Sequence, residues 1–458
     1  MSFIGKFPSL VAALFVWGLT IEGWAVTVFE NFWLIDGVSD EPVEGAAMVV
    51  DGERIVAVGV IDSAPWLERE GAEVVDLEGG AVMPGLISNH SHVGIVKGGT
   101  VSPENFTPEV INAELRQFEG YGVLTVAVLG MSKDLLYELR DKQRRGVLGG
   151  AEVFTADRGL GVYNAVPPVP LGTSQVLRPR SAEEASRMVR EMAARHPDFI
   201  KIWVDNFFGT KPPEMATDVY AAIIEEADRH GIPVASHVFY LRDAKSLTQN
   251  GVDFLAHSVR DQAVDEELLA LMKRDGVAYV PTLTLDESQF IYSEHPVWMD
   301  TPAFRASVSE ALRQKWLTPA FGSRTLENPF TAKHRAALAQ ALENVKLVYD
   351  AGILVGFGTD SGANPYRIPG WAEHRELQLL VEAGLTPMQA IQTATGNAAK
   401  VLGDEENRGT LAKGKLANFL LLRANPLDDI RNTTKLEAIY HRGKRIEPAF
   451  SSDTSRAE

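Results

Sequence analysis

Two hydrophobic rhythms divide the chain. Near the start, TVFENFWLIDG, AAMVVDGERIVAVG and AEVVDLEGGAVMPG are short β-branched stretches cut by Asp-Gly and Gly-Gly, the turn chemistry of hairpin-linked strands. GTLAKGKLANFLLLRANP and LEAIYHRGKRI bring that texture back near the C-terminus, which predicts one small β-domain assembled from both ends. Between about Pro84 and Gly403, apolar runs alternate instead with amphipathic helical stretches. In order the runs are GLISNHSH, GVLTVAVLG, AEVFTAD, DFIKIWVD, IPVASHV, VDFLAHS, VAYVPTLTL and ILVGFGTDSG. Helix starts lie between them: Ser181 with Glu184 is a capping-box pattern, and Thr386, Pro387 and Gln389 supply an N-cap, a first-turn proline and a box partner.

This pattern predicts an α/β architecture: a (β/α)8 TIM barrel over 84–404, with a small β-sandwich made of 26–83 and 405–450. A doubly wound open sheet competes, but no dinucleotide fingerprint or phosphate loop supports it. The stretch from Asp286 to Val345, with Trp298 and Trp316, reads as an insertion before the eighth run that overhangs a site or forms a subunit contact in a homo-oligomer.

Length and charge narrow the classes. A chain of 458 residues can bury one large core and a smaller one. A formal charge of -17 argues against nucleic acid as a partner, because phosphates repel such a surface. The apolar run from Phe7 to Ile21, followed by Gly23 and Ala25, predicts a signal peptide over 1–25 cut before Val26, hence a periplasmic or secreted protein. The run is marginal for spanning a bilayer, so no stable membrane insertion is expected once it is removed, with a retained anchor as the second reading. The chain has no Cys, so any metal ligands must be His, carboxylate or Lys.

Candidate chemistry sits at the ends of the runs. His90 and His92 are two apart after a strand pattern and so share a face, which supplies half of a metal site. Lys201, His237, His257 and Asp360 lie at or near the ends of the fourth, fifth, sixth and eighth runs. In a barrel those ends converge on one mouth. A lysine inside such a barrel loses its proton, finds an anion, or snorkels to water; as a neutral amine it can react with carbon dioxide to give a carbamate that bridges two metals. Singly, His237 and His257 read equally as core histidines, and Asp360 as a turn former.

Together these residues resemble the amidohydrolase superfamily. MPGLI before the histidine pair, HRELQLLVEAGLTPMQAIQTATGNAAKVLG after the eighth run and GTLAKGKLANFLLL in the tail are similar to its imidazolonepropionase-like and Xaa-Pro dipeptidase-like branch. The resemblance implies that His90, His92 and Asp360 hold the more buried of two divalent ions, that His237 and His257 hold the more exposed one, and that a carbamate on Lys201 bridges them. Mixed nitrogen and oxygen ligands suit Zn(II). Three departures stand out: Ser88 occupies the usual Asp place, TADRGLGVYN replaces a Gly-His signature, and Phe239 replaces a Tyr after His237.

The expected chemistry is hydrolysis of a C–N bond in a small molecule, such as an amide, N-acyl amino acid, dipeptide or cyclic amide, by a hydroxide shared between the metals. Asp360 would pass the proton to the leaving group, and Tyr163 or Tyr240 would steady the oxyanion. Phe239, Trp203 and Arg158 are the expected substrate contacts, with Phe207, Phe208 and Arg178 as lesser candidates. A mononuclear deaminase is the first alternative, disfavoured by Lys201 and by Tyr240 where such members carry Glu. A non-catalytic barrel scaffold is the second, and its mark would be missing ligands.

Overall fold

The structure is a computed structural model that describes residues 26–60 and 71–450. The expected signal peptide, 1–25, lies outside the described residues. Among the described residues, no helix is long and apolar enough to cross a membrane.

The chain opens with β1 (Thr27–Leu34), β2 (Val43–Asp51), β3 (Arg54–Val60), β4 (Glu73–Asp76) and β5 (Ala81–Pro84). The central strands are β6 (Leu86–Ser91), the small hairpin β7 (Val96–Lys97) and β8 (Thr100–Val101), then β9 (Val123–Val128), β10 (Glu152–Thr155), β11 (Ile200–Trp203), β12 (Val234–His237), β13 (Phe254–Ala256) and β14 (Ala278–Val280). The tail adds β15 (Phe419–Leu422), β16 (Leu436–His441) and β17 (Lys444–Ile446).

Both chain ends do meet in one sheet. Its order is β17-β16-β15-β5-β1-β2-β3 with β4 alongside β1, and β15 runs antiparallel to β5 with Phe419 opposite Pro84. One face buries an aromatic trio: Phe29 lies edge-on to Phe419 and Tyr440 at 5.2 and 5.0 Å, and Phe419 stacks on Tyr440 at 4.6 Å. Hydrogen bonding carries continuously from the tail strands through β5 into β1, and the sheet curls so that Phe29 of β1 reaches Tyr440 of β16, three strands away in that order.

The middle of the chain is α/β with parallel sheets. One has the order β10-β9-β6 and the other β11-β12-β13-β14. β9 is buried at every position, as a strand covered on both faces must be. Isolated parallel bridges continue the pairing from Leu160 to Ile202, from Tyr279 to Val355 and from Ser91 to Ser361. The eighth run thus pairs on both sides without forming a regular strand. Its glycines explain why: a Cβ on Gly356 would lie 2.8 Å from Asn89 Oδ1, and one on Gly358 would lie 2.8 Å from His90 Cβ. The run gives up side chains to press its backbone against β6, where Asn89 N donates to Phe357 O at 2.6 Å.

Helix starts follow their sequence signals, with one difference. Thr386 and Gln389 form the full reciprocal box before helix Pro387–Gln392, at 2.9 and 3.2 Å. Ser181 accepts from Glu184 N at 3.2 Å, but the Glu184 carboxylate turns to Arg180 N at 2.9 Å, so the second half of that box is displaced by one residue. Between β14 and the eighth run, short helices lead into the long helix Pro329–Asp350. They enclose an aromatic core of their own, in which Tyr292 stacks on Trp316 at 4.2 Å and Trp298 meets Trp371 at 5.2 Å.

Candidate metal centre and cavity

At the end of β6, His90 and His92 turn their Nε2 atoms toward Asp360 Oδ1, at 3.3 and 2.9 Å. One donor atom from each of these three buried residues lies within 4.8 Å of the others. The backbone fixes this meeting. Asp360 N and Thr359 N donate to His90 O at 2.9 and 3.2 Å, and His92 N donates to Ser361 O at 2.7 Å. Asp360 takes a left-handed φ of 58°, a conformation most residues avoid, which aims its carboxylate back at the pair.

Beneath that loop, the buried carboxylate of Glu373 accepts from Thr359 Oγ1 at 2.6 Å, Ser361 Oγ at 2.8 Å and Gly370 N at 2.8 Å. Ser88, the departure from the family pattern, joins the same group: its hydroxyl lies 3.4 Å from Glu373 and 2.8 Å from Ser91 Oγ. Glu373 therefore ties the Asp360 loop to the strand that carries the histidines.

Register brings up the other three residues. Lys201 lies beside Ala235, Trp203 beside His237, and His237 beside Ala256, the residue before His257. The His257 ring sits 4.5 Å from both His90 and His237, so the imidazoles adjoin one another. Lys201 Nζ is fully buried beside them with no hydrogen-bond partner. His237 Nε2 is 3.2 Å from Asp205 Oδ2, leaving Nδ1 as its outward donor. His257 Nδ1 is 2.7 Å from Thr282 Oγ1, leaving Nε2. A carboxylate or hydroxyl behind an imidazole is the usual support for a metal-binding histidine.

Burial pushes His90, His237 and His257 below the usual imidazole range, so their lone pairs stay available. Burial also brings Lys201 down to about 7, outweighing the nearby Asp360 and Asp205 carboxylates. Burial alone would raise Asp360, but the Arg367 guanidinium and the two histidines overcome it and hold the acid well below its ordinary value. Neutral imidazoles around an ionised carboxylate are the donor set that a divalent cation takes, and the orphaned amine is the atom such a site leaves unexplained.

A cavity of about 370 Å³ opens over this group. His92, His237, His257 and Asp360 line its floor, and Trp203, Phe207, Phe208 and Phe239 line its wall. Three expected contacts lie elsewhere. Tyr163 is 40 % exposed and accepts a hydrogen bond from Arg180 at 2.7 Å, outside the cavity lining. Tyr240 directs its hydroxyl to Asn206 Oδ1 at 2.8 Å, because the residue after Phe239 faces the other way. Arg158 Nε pairs with Asp157 at 3.3 Å and does not reach the cavity either. Arg178 clamps the carbonyls of Val162, Val166 and Pro167. The cavity instead presents Arg260, His334 and Arg367, none of which the sequence pattern singled out.

The model of the amidohydrolase family matches residues 81–446. The chain belongs to that family. Among its relatives, an ochratoxinase of Aspergillus niger is 28% identical over 310 residues, covering 64% of this chain and 55% of the ochratoxinase, so this chain spans about half the length of that relative. An imidazolonepropionase of Symbiobacterium thermophilum is 26% identical over 399 residues, covering 83% of this chain and 84% of the relative. A crystal structure of a Xaa-Pro dipeptidase with methionine bound in the active site superimposes with a TM-score of 0.72 and 25% identity, covering 92% of this chain and all of that one. The His90-His92-Asp360 group agrees with the divalent metals the family uses.

Proposed function

We propose that the chain is a binuclear metal-dependent hydrolase of a C–N bond in an amide, N-acyl amino acid, dipeptide or cyclic amide, built on a (β/α)8 barrel. The run of parallel pairings from β6 through β14 and the eighth run back to Ser91 supports that barrel. The observation that carries the functional reading is the orphaned, fully buried Lys201 amine among three neutral imidazoles and opposite an ionised aspartate. His90, His92 and Asp360 would hold one ion, His237 and His257 the other, and Lys201, as a carbamate, would bridge them. Zn(II) suits the nitrogen and oxygen donors.

Bound there, such ions supply an acidified water and polarise a carbonyl. The chain's own residues do the rest. Asp205 and Thr282 fix which nitrogen each of His237 and His257 offers. Asp360, with one oxygen toward the histidines and the other held by Arg367, is the base placed to take a proton and return it to the departing nitrogen. Trp203, Phe207 and Phe239 exclude water from the cavity and seat an apolar body. Because 1–25 carries the features of a signal peptide, we place the mature enzyme in the periplasm or outside the cell.

The test is hydrolysis of a panel of N-acyl amino acids, dipeptides and lactams by Zn-loaded protein, repeated with Asp360→Asn. Turnover of at least one class, lost by orders of magnitude in the variant, is the expected result. No turnover of any C–N substrate, or an Asp360→Asn protein as active as the parent, would contradict it.

A further inference from the structure

Asp286 stands behind the cavity wall and holds two of the groups that face into it. Its Oδ1 accepts from His334 Nδ1 at 2.7 Å, and its Oδ2 lies 3.0 Å from Arg260 Nε. The three come from separate pieces of chain. Arg260 follows β13, Asp286 lies in the short helix Thr284–Glu287 after β14, and His334 belongs to the inserted helix Pro329–Asp350. Arg260 is fixed further by one terminal nitrogen, which donates to Ser258 O at 2.9 Å and Val238 O at 3.3 Å, while its guanidinium lies 5.1 Å from the centre of the Phe239 ring. The His334 ring meets Phe208 edge-on at 5.1 Å, and Phe208 meets Phe239 at 4.4 Å.

Besides Arg260 Nε, which faces Asp286 without a hydrogen bond, two polar ends remain. The other terminal nitrogen of Arg260 and Nε2 of His334 have no hydrogen-bond partner among the described residues, and both side chains line the cavity whose floor is His237, His257 and Asp360. The wall around them is apolar. A guanidinium only 6% exposed, held rigid by three other contacts and set in such a wall, matches a planar anion with two oxygens, because the fork of N–H donors fits a carboxylate and little water competes for it. Arg260 is cationic with one terminal nitrogen left to donate, and His334, whose Nδ1 faces Asp286, donates from Nε2 when its ring is protonated, so the two side chains can offer donors to a carboxylate in the cavity.

We propose that Arg260 and His334, bracketed by Asp286, form the subsite that reads a substrate carboxylate. The substrates are then amides of amino acids with a free carboxylate, whose aromatic or bulky apolar portion packs on Phe208 and Phe239. This rests on the C–N hydrolase reading for the reaction, but the subsite itself is a matter of binding. The inserted helix thereby has a role in selectivity, since it delivers His334.

N-benzyl-phenylalanine and N-benzyl-phenylalaninol carry no amide bond and differ only in carboxylate against hydroxymethyl. Calorimetric titration of each into the metal-loaded full chain is expected to show the acid binding about tenfold or more tighter than the alcohol. That ratio is expected to fall toward one in His334→Gln and in Arg260→Gln, with thermal unfolding used to show that each variant folds. Equal affinities in the parent protein, or a ratio unchanged in folded His334→Gln, would overturn the subsite even if Arg260→Gln does not fold. A chain that distinguishes acid from alcohol yet cleaves no C–N bond keeps the subsite and loses the hydrolase reading. One that cleaves amides without regard to the carboxylate loses the subsite alone.

Discussion

Asp205 Oδ2 lies 3.2 Å from His237 Nε2, so the histidine that ends β12 is oriented by a carboxylate just beyond the end of β11. Asp205 is itself fixed, accepting from Phe207 N at 2.9 Å. Removing it in Asp205→Ala leaves the ring free to turn, and metal affinity is expected to fall by about ten- to a hundredfold. Competition with a chelator of known strength measures this; an unchanged affinity would mean that His237 needs no such support.

The Lys201 amine has no hydrogen-bond partner among the described residues, so its contribution is tested directly by removing it. Lys201→Ala is expected to lose metal and activity together, and short carboxylic acids added to the buffer are expected to restore part of both by standing in for the missing anionic bridge. Full activity in the variant without rescue would remove the bridging role.

How much of this was legible beforehand depended on where each residue sits. The nearness of His90 and His92 could be read because a spacing of two on a strand fixes a common face, and that of Lys201, His237 and His257 because they lie in successive apolar runs that register brings side by side. The regular strand expected over ILVGFGTDSG could not form, since Gly356 and Gly358 serve close backbone packing against Asn89 and His90. Tyr163, Tyr240 and Arg158 do not line the cavity, for a different reason. They lie in loops, where no periodicity dictates which way a side chain points, and each found a partner away from the cavity. His334 was illegible for lack of any local signal, since only the fold brings the inserted helix to Asp286. Asp205 had a weak signal as the last residue of DFIKIWVD.

Glu373 offers a separate test of how the centre is held. In Glu373→Ala the hydroxyls of Thr359 and Ser361 and the amide of Gly370 lose a buried acceptor, at a cost of about 2–5 kcal/mol in unfolding free energy. Urea unfolding of the metal-free protein would show this, with Glu373→Gln less affected because it keeps an acceptor oxygen. Equal stability of Glu373→Ala and the parent would contradict a tie between the Asp360 loop and β6.

His374, next to Glu373 in the helix Trp371–Glu382, predicts a pH dependence. It is fully buried, with Nε2 donating to Tyr121 O at 2.9 Å and Nδ1 facing the Thr433 hydroxyl at 3.0 Å, and burial lowers it to about 4. Because the folded value lies below the unfolded one near 6.5, its contribution is present above pH 6.5 and is lost as pH falls toward 4, up to about 3 kcal/mol. Denaturant titrations between pH 7 and 4 should therefore show a shallower acid loss in His374→Gln than in the parent. Parallel curves would contradict it.

The most direct measurement is elemental analysis of the purified full chain after incubation with Zn(II) and bicarbonate and removal of loose metal. Six candidate ligands gathered at one end of the parallel strands, four of them lining the cavity, predict about two ions per chain, falling in Lys201→Ala. One ion per chain, unaffected by loss of Lys201, would point to a mononuclear centre, and no bound metal at all would contradict the proposal outright.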